Sequence, residues 1–269
     1  MMTFGLVAVL VLSALVIHHH TWKAQSWPEN SLTPPLYQGH RGYWKEGARE
    51  NTRASFQAAQ KRGLKMIELD VRLSKGGVPV VFHDSDLKRI GNSEKLVLDL
   101  SADEMLNLVQ APTLESVLTD LESPQFINIE LKTGSIFDGS LEKAVSEVVK
   151  KTQSQRRILF SSFNPIAIWR LSHLLPEVPR ALLATKEIAE GNRFYLRHMW
   201  LAPYINTNAL HLDYNYVTEE DLRAWKKRGI PVALWTVNDA TKAEAFLKAG
   251  AISIISDTLY EGPLSAKTN

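Results

Sequence analysis

The chain has 269 residues, of which 45% are hydrophobic and 22% charged, with a formal net charge of +2. These values are typical of one large globular domain, although the length would allow two, and they do not favour a nucleic-acid-binding protein. There is no cysteine, which excludes disulfides, thiolate metal sites, a cysteine nucleophile and lipidation on cysteine.

The first predicted element is an uncharged apolar helix over Phe4–Ile17, within a segment delimited as residues 1–22. Such a helix spans about 20 Å, short of the roughly 30 Å hydrocarbon core of a bilayer. We interpret it as a retained membrane anchor, with Trp22 and Trp27 at the headgroup level. The alternatives are a signal-peptide core, which would lead to export after cleavage, and a helix buried in the domain. No Lys or Arg precedes the run, which disfavours a signal peptide, and the side of the membrane stays open.

Residues 23–35 contain three prolines and are predicted to form a linker, and residues 36–269 are predicted to form the folded domain. Short apolar segments bounded by turn residues predict eight strands in this domain. These strands are Leu36–His40, Met66–Leu73, Phe126–Leu131, Ile158–Ser161, Arg180–Ala184, Ala209–Leu212, Pro231–Trp235 and Ile252–Ser256.

Helical periodicity and cap residues predict helices between these strands. They are Asn51–Arg62, Ser101–Leu108, Leu114–Leu121, Leu141–Lys151, Pro165–Leu175, Thr218–Arg228 and Thr241–Ala249. Repeated βα units of this kind predict an α/β fold, a (β/α)8 TIM barrel with parallel strands. An open doubly wound sheet is the alternative, but no glycine-rich phosphate loop follows the first strand.

The second predicted strand carries two acidic residues on one face. Glu68 and Asp70 are two positions apart, and a strand has a period of two, so their side chains are neighbours. Burying two unpaired carboxylates is costly, and a divalent cation held by oxygen ligands relieves that cost. The alternative is an exposed strand whose acidic face meets water. Gly76 and Gly77 then turn the chain, and the hairpin arm Val78–Phe82 inserted after this strand returns His83 towards the strand end.

Ionisable residues recur where the predicted strands end, which is where a barrel places its active site. Glu130 and Lys132 close the third strand, and His40 and Arg41 close the first. Glu130 can join the two earlier carboxylates in holding one Ca²⁺ or Mg²⁺ with positions left for substrate oxygens. Arg41 and Lys132 provide fixed positive charge that binds a phosphate and stabilises its transition state.

Two histidines complete this predicted site. His40 and His83 titrate near neutral pH, so one can accept a proton while the other donates one. Metal, fixed positive charge and an acid–base pair together indicate a phosphodiesterase. Each histidine alone could instead be a hydrogen-bonded structural residue.

The segment Glu190–Asn208 departs from the βα pattern because aromatic and basic residues alternate along it. We predict a helix and loop at the barrel mouth, or the fifth helix of the barrel. The alternative to a covering helix is a membrane-facing or lipid-accepting lip, since aromatic and basic side chains suit an interface.

Several motifs in this chain, taken together, resemble the signature of the glycerophosphodiester phosphodiesterase family, over Leu36–Gly262. They are His40-Arg41-Gly42, Glu50-Asn51-Thr52, Glu68-Leu69-Asp70-Val71 through His83-Asp84, Pro112-Thr113-Leu114-Glu115, Glu130-Leu131-Lys132, Ser162-Phe163-Asn164, Trp235-Thr236-Val237-Asn238 and Ser256-Asp257. The chain departs from the family at Lys88–Asn92, where an Arg-Thr-Thr sequence is often found. This departure leaves the predicted substrate range open.

The resemblance implies a TIM barrel that uses a divalent metal to hydrolyse glycerophosphodiesters to an alcohol and sn-glycerol 3-phosphate. By resemblance, Glu68, Asp70 and Glu130 bind the metal, and His40 and His83 are the general acid and base. The resemblance also implies residues that bind the substrate or lie beside the metal site. They are Arg41 and Lys132 on the phosphate, Phe163 and Trp235 as apolar walls, and Glu50, Asn51, Asp84 and Glu115 beside the metal or its ligands.

Three points stay open in this interpretation. The nucleophile is water or a neighbouring glycerol hydroxyl, and the oligomeric state is not predicted. The substrate is a small phosphodiester or, in a lysophospholipase D-type reaction, a lysophospholipid at the membrane. A membrane-tethered binding protein without catalytic activity is the alternative from another class.

Overall fold

The computed structural model describes residues 2–189 and 191–261. Glu190, where the predicted aromatic and basic segment begins, and residues 262–269, the end of the predicted domain, lie outside the described residues. Nine strands form one sheet in the order β1-β9-β8-β7-β6-β5-β4-β2-β3, and β1 also pairs with β2. The strands are β1 Tyr37–His40, β2 Met66–Leu73, β3 Pro79–Val81, β4 Phe126–Leu131, β5 Ile158–Ser162, β6 Arg180–Ala184, β7 Ala209–Asp213, β8 Val232–Trp235 and β9 Ser253–Ser256.

The pairing of β1 with both β2 and β9 closes the sheet. Every pair in the closed ring is parallel, and only β3 lies antiparallel, against the end of β2. The predicted (β/α)8 TIM barrel with a hairpin insertion after its second strand is therefore confirmed.

Helices connect the strands and cover the outside of the barrel. Their bounds are α1 Met2–Thr21, α2 Arg53–Lys61, α3 Lys88–Gly91, α4 Ala102–Val109, α5 Leu114–Leu118, α6 Ser140–Lys151, α7 Pro165–Leu174, α8 Phe194–Arg197, α9 Glu219–Lys227 and α10 Ala240–Ala249. Local sequence sets their starts: Thr52 and Ser101 each form a capping box at the N-terminus of α2 and α4. In the second box the Glu104 N–H donates to the Ser101 hydroxyl, and the Glu104 carboxylate accepts from the Ser101 N–H.

Alternation along the strands separates the two faces of the barrel wall. Leu69, Val71 and Ile129 point outwards into a core shared with the surrounding helices. Three buried polar side chains form a layer on the inner face: Asn128 donates to Gln38 at 3.3 Å, and Ser161 donates to Asn128 at 2.9 Å. His40 and Glu130 lie two residues beyond Gln38 and Asn128, so the period of two places them one layer further towards the mouth.

The N-terminal segment is a helix whose C-terminal end contacts the barrel. Apolar side chains of α1 from Val9 to Ile17 are largely exposed, whereas Trp22, just beyond it, is buried against the core. Among the described residues, no helix combines the length and apolarity needed to cross a membrane. The predicted linker also contacts the barrel, because Leu32 is buried and Asn208 donates to the Ser26 carbonyl at 2.8 Å.

The segment between β6 and β7 contains no long helix in its described part. The short helix α8 is followed by a 3-10 turn over Ala202–Tyr204. Phe194, Tyr195 and Tyr204 are each more than two-fifths exposed. Of the two predicted arrangements, a helix with a loop describes this segment and a full barrel helix does not.

Candidate active site

Three carboxylates converge at the mouth of the barrel. Glu68 and Asp70 come from β2 and Glu130 from β4, and the strand register sets Asp70 directly beside Glu130. One oxygen of each carboxylate lies within 4.8 Å of the other two, and all three side chains are buried. Oxygens at about 2.3–2.6 Å from one Ca²⁺ would have separations of this size. The three residues predicted as metal ligands are thus brought together.

The charges within this cluster do not balance. Two fixed cations face the three carboxylates: Lys132 Nζ lies 3.0 Å from Asp70 Oδ1 and 2.5 Å from Glu130 Oε1, and Arg41 Nε lies 3.3 Å from Asp70 Oδ2. Burial works to raise the pKa of Asp70, but Lys132 and Arg41 outweigh it and hold that pKa well below its usual range. Burial and the neighbouring carboxylates raise the pKa of Glu68 well above its ordinary value.

An unpartnered oxygen indicates where a cation would bind. Glu68 Oε1 is buried and has no hydrogen-bond partner among the described residues. Asp70 Oδ1 and Glu130 Oε1 are paired with the ammonium of Lys132, so a bound cation would share these two carboxylates with Lys132. Hard oxygen ligands, an excess of negative charge and an unpaired oxygen fit a divalent cation.

The loop after β1 brings Arg41 into the cluster. Arg41 has a φ of 56°, an uncommon conformation for a residue other than glycine. This turn directs the Arg41 N–H to Glu68 Oε2 at 3.1 Å, while Nη1 donates to Glu50 Oε1 at 2.8 Å. Asn51 also has a positive φ, and its side-chain amide donates to Asp70 Oδ2 at 2.7 Å. Glu50 and Asn51 therefore support the cluster through Arg41 and Asp70.

A carboxylate holds His40 through the ring nitrogen Nδ1. His40 Nδ1 lies 2.8 Å from Asp257 Oδ1, and a carboxylate only accepts, so Nδ1 carries the proton. Asn238 donates to the other oxygen of Asp257 at 2.9 Å and accepts from its backbone N–H at 2.8 Å. This arrangement leaves His40 Nε2 free to face a substrate.

His83 has the same kind of support from the opposite side. Its Nδ1 lies 2.6 Å from Asp84 Oδ1, and Arg89 Nε donates to Asp84 Oδ2 at 2.8 Å. Arg89 also holds the Glu50 carboxylate with two hydrogen bonds, at 2.9 and 2.6 Å. Burial lowers the pKa of His83, so the neutral ring predominates at neutral pH. Through Arg89 and Glu50, this histidine is linked to Arg41.

The cluster lines a pocket of about 250 Å³ at the barrel mouth. Its ionisable lining residues are His40, Arg41, Glu68, His83, Glu130 and Lys132. Phe163 and Trp235 form an apolar side, with their rings edge to face and 5.5 Å between centroids. We call this cavity the catalytic pocket. It has charged groups for a phosphodiester and an apolar wall for the rest of a substrate.

One predicted site residue is placed neither at this pocket nor against the groups that surround it. Glu115 lies on α5, where its carboxylate is 2.7 Å from Lys151 Nζ on α6. Conversely, sequence reasoning gave no roles to Asp257, Asn238 and Arg89, which the structure places around the two histidines. Asp257 directly follows β9, so a polar residue at the end of the last strand was the signal that could have found it.

Comparison with known proteins agrees with this geometry. The glycerophosphoryl diester phosphodiesterase family matches residues 40–260. A glycerophosphodiester phosphodiesterase of Caldanaerobacter subterraneus subsp. tengcongensis is 30% identical over 235 residues, covering 82% of this chain and 93% of that protein.

Solved structures show the same similarity. A phosphodiesterase of Oleispira antarctica in complex with the product sn-glycerol-3-phosphate has a TM-score of 0.71 and 28% identity, covering 83% of this chain and 93% of that chain. A glycerophosphodiester phosphodiesterase from Thermotoga maritima has a TM-score of 0.65 and 29% identity, covering 83% and 95%. The carboxylate cluster and the strands β2 to β9 all lie within the residues 40–260 that the family matches.

Proposed function

The chain belongs to the glycerophosphoryl diester phosphodiesterase family, and on that premise we propose how its catalytic pocket acts. The family assignment confirms the resemblance seen in the sequence and makes the protein a hydrolase of glycerophosphodiesters. We propose the products to be an alcohol and sn-glycerol 3-phosphate, formed with one divalent cation, Ca²⁺ or Mg²⁺, and two histidines. The predicted catalytic positions share one pocket, which argues against a binding protein without catalytic activity.

The observation that carries the proposal is a pair of histidine–aspartate contacts beside one acidic cluster. Asp257 and Asp84 each hold the Nδ1 of a histidine, at 2.8 and 2.6 Å, so both Nε2 atoms can exchange protons with a substrate. Arg41 and Lys132 orient the phosphate and stabilise the charge that develops on it. When bound by Glu68, Asp70 and Glu130, a divalent cation would add Lewis-acid polarisation of a phosphate oxygen.

One histidine takes a proton from the nucleophile and the other gives a proton to the leaving alcohol oxygen. The nucleophile is either a water molecule or the glycerol hydroxyl next to the phosphodiester. Attack by that hydroxyl would form a cyclic phosphate, which then opens with water. Rapid quenching of the reaction and analysis for a cyclic glycerophosphate distinguishes the two routes.

Replacement of the histidines tests this chemistry. His40→Ala and His83→Ala should each lower kcat by about 10²-fold or more, because each removes one proton transfer. The assay is the release of sn-glycerol 3-phosphate from glycerophosphocholine with Ca²⁺ or Mg²⁺ present. His173→Ala is the control, since this exposed histidine lies on α7 outside the pocket. A variant at His40 or His83 that keeps the wild-type kcat would remove that residue from the acid–base pair.

A second candidate function, cleavage of lysophospholipids by the same chemistry, is supported by an apolar cavity beside the catalytic pocket. This cavity of about 240 Å³ shares Phe163 and Leu183 with the catalytic pocket, and Leu196 of α8 lies on its far side. An acyl chain that extends from the phosphodiester past Phe163 would be buried against the apolar walls of this cavity.

Two substrates compared in one variant test this second function. Leu196→Asp should lower kcat/KM for lysophosphatidylcholine about 10-fold while leaving glycerophosphocholine unchanged, because only the former has a chain to bury. Leu121→Asp is the control, since Leu121 is 93% exposed and distant from this cavity. Equal changes for both substrates in Leu196→Asp would exclude the cavity as a chain site.

We further propose that α1 associates the protein with a membrane surface. The exposed apolar side chains of α1, such as Leu12 and Ile17, support this proposal because they would otherwise face water. Leu12→Lys should weaken co-sedimentation with phosphatidylcholine vesicles, whereas Leu98→Lys, at another exposed leucine, should not. If both variants co-sediment with the vesicles to the same extent as the wild type, α1 is excluded as the attachment point.

A further inference from the structure

A larger cavity lies at the ends of β6 and β7, where Ala184 and Leu212 line it. Its volume is about 400 Å³, compared with about 250 Å³ for the catalytic pocket, and the two share no lining residue. The end of α1, the segment around α8 and the helix α9 form its walls. We call it the second cavity. Its volume is within the usual range for small-molecule sites in proteins.

In the described part of the chain, the second cavity is lined by buried side-chain nitrogens without hydrogen-bond partners, two of which are arginine donors. His19 Nδ1, Arg197 Nε and Arg228 Nε are buried and have no hydrogen-bond partner within residues 2–189 and 191–261. An unsatisfied buried donor costs free energy, so two unpaired arginine donors in one cavity indicate a ligand that accepts hydrogen bonds. The catalytic pocket has the opposite character, with an unpartnered carboxylate oxygen at Glu68 that indicates a cation. By the same reasoning the second cavity indicates an anion.

The carboxylates of the second cavity do not provide that anion. Asp213 accepts hydrogen bonds from Thr185 Oγ1 at 2.8 Å and from the side chain of Asn215 at 2.9 Å. Asp221 accepts from the backbone N–H and the hydroxyl of Thr218 in the capping box that begins α9. Both aspartates are therefore engaged in local structure.

Three fixed cations line the second cavity, Lys186, Arg197 and Arg228, and the two arginines carry the unpartnered nitrogens. Arg228 Nη2 donates to the carbonyls of His19 and Trp22, each at 3.3 Å, which fixes its guanidinium beside the end of α1. Burial, then the neighbouring cationic groups, lower the pKa of His19, so this ring is neutral at neutral pH. Charge on a bound anion would be matched by Arg197 and Arg228.

The remaining walls of the second cavity are apolar and aromatic. Trp200 stacks on His19 with 4.5 Å between ring centroids and an interplanar angle of 8°, which closes the wall between α8 and α1. The larger of the other apolar lining residues are Phe194, Met199, Leu212, Tyr216, Val217 and Trp225. A small hydrophilic anion would leave these surfaces unfilled, whereas an amphiphile would cover them.

We propose that the second cavity is a binding site, separate from the catalytic pocket, for a single-chain amphiphile with an anionic head group. Arg197 and Arg228 bind the head group, a carboxylate or a phosphate, and the aromatic walls bury the first part of the chain. The exposed apolar surface of α1 continues from the same wall, so the site lies beside the part of the molecule best suited to lipid.

Calorimetric titration of the full chain tests this proposal, with EDTA present so that no divalent cation contributes. Dodecanoate and dodecyl phosphate, used below their micellar concentrations, should each bind with one molecule per chain. Inorganic phosphate, which has no chain, and dodecyl maltoside, which has no charge, should bind at least about 10-fold more weakly. Tighter binding of dodecanoate would assign a fatty-acid-type ligand, and tighter binding of dodecyl phosphate a phosphate head group.

Arginine variants locate the binding. Arg197→Gln should weaken binding of both anionic probes about 10-fold or more, and Arg197→Lys should recover part of it. Arg193→Gln is the matched control, because it removes the same charge from an exposed residue beside α8. Trp200→Leu removes the aromatic wall and should weaken binding independently; unfolding curves confirm that each variant is folded.

Three results would overturn the proposal. Binding to Arg197→Gln that equals binding to Arg193→Gln would exclude the arginine as a ligand. Dodecyl maltoside binding as tightly as dodecanoate would show an apolar surface without an anion site. Loss of affinity in His83→Ala as large as in Arg197→Gln would place the amphiphile in the catalytic pocket instead.

Discussion

Replacement of Arg89 by Gln tests whether the support behind His83 matters for turnover. Arg89 makes three charge-assisted hydrogen bonds, one to Asp84 and two to Glu50, at 2.8, 2.9 and 2.6 Å. Asp84 in turn holds His83 Nδ1 at 2.6 Å. Without Arg89, the Asp84 carboxylate can rotate and His83 loses its fixed orientation. Arg89 is a positioning residue, since it acts through Asp84.

The structure limits how large this effect can be. The Arg89 side chain is 47% exposed, so solvent screening reduces the stability loss from three lost contacts to about 1–2 kcal/mol. Asp84 can still accept from His83, so the loss of kcat should be about 10-fold, or about 1.4 kcal/mol, which is less than the loss on removing His83. KM should change little, because Glu50 still accepts from Arg41.

Steady-state hydrolysis of glycerophosphocholine measures this prediction, with Lys88→Gln as the matched control. Lys88 is the neighbouring cation on α3, and its ammonium pairs with Glu94 away from the catalytic pocket. Arg89→Lys keeps the charge but cannot hold two carboxylates at once, so it should recover only part of kcat. The reasoning is refuted if Arg89→Gln has the kcat of Lys88→Gln, or if KM alone changes.

Two further predictions concern stability. Gly42→Ala should destabilise the fold by about 2–4 kcal/mol and lower kcat/KM, because a Cβ on Gly42 would lie 2.5 Å from Ser55 Oγ at a φ of +85°. Gly63→Ala is the control: Gly63 has a φ of +79° but no atom within 4 Å of the added Cβ, so this variant should lose about 1–2 kcal/mol of unfolding free energy in urea. Equal losses in the two variants would exclude the clash with Ser55. Burial lowers the pKa of His211 to about 3. Below pH 6.5 the unfolded state therefore binds a proton at His211 that the folded state does not bind, so the free energy of unfolding falls as the pH decreases. Between pH 7 and pH 5 the wild type should lose about 2 kcal/mol that His211→Leu does not lose; parallel pH profiles of unfolding free energy would contradict this.

The sequence was most informative where one periodicity dominated. The predicted bounds of β2, β4 and β6 match the structure. Apolar alternation, or a short run of apolar residues, is compatible with few local structures other than a strand. The convergence of Glu68, Asp70 and Glu130 was predictable for a related reason. Parallel strands in a barrel end at one rim, so carboxylates near those ends must meet.

Helix ends were less predictable where apolar residues face water. The helix predicted over Leu114–Leu121 ends at Leu118, and Leu121 is 93% exposed. Helical periodicity extended the predicted helix to Leu121, but a local turn stops it before Leu121 can reach the core. Tertiary packing, which periodicity does not contain, decides such boundaries.

Contacts between distant segments were beyond sequence reasoning. Arg89 reaches Glu50, and Asp257 reaches His40 across 217 positions of the chain, through loops whose conformations no local pattern sets. The second cavity depends on the same kind of contact, since His19, Arg197 and Arg228 come from three separate segments. Only their placement in space shows that their unpaired nitrogens line one cavity.

The central claim is that Glu68, Asp70 and Glu130 bind one divalent cation on which hydrolysis depends. Calorimetric titration of Ca²⁺ and Mg²⁺ into EDTA-treated protein measures it most directly, with Glu68→Gln and the matched control Glu115→Gln, whose carboxylate pairs with Lys151. The wild type and Glu115→Gln should bind one ion per chain, and Glu68→Gln should bind it at least about 10²-fold more weakly. Binding to Glu68→Gln that equals binding to Glu115→Gln would contradict the account.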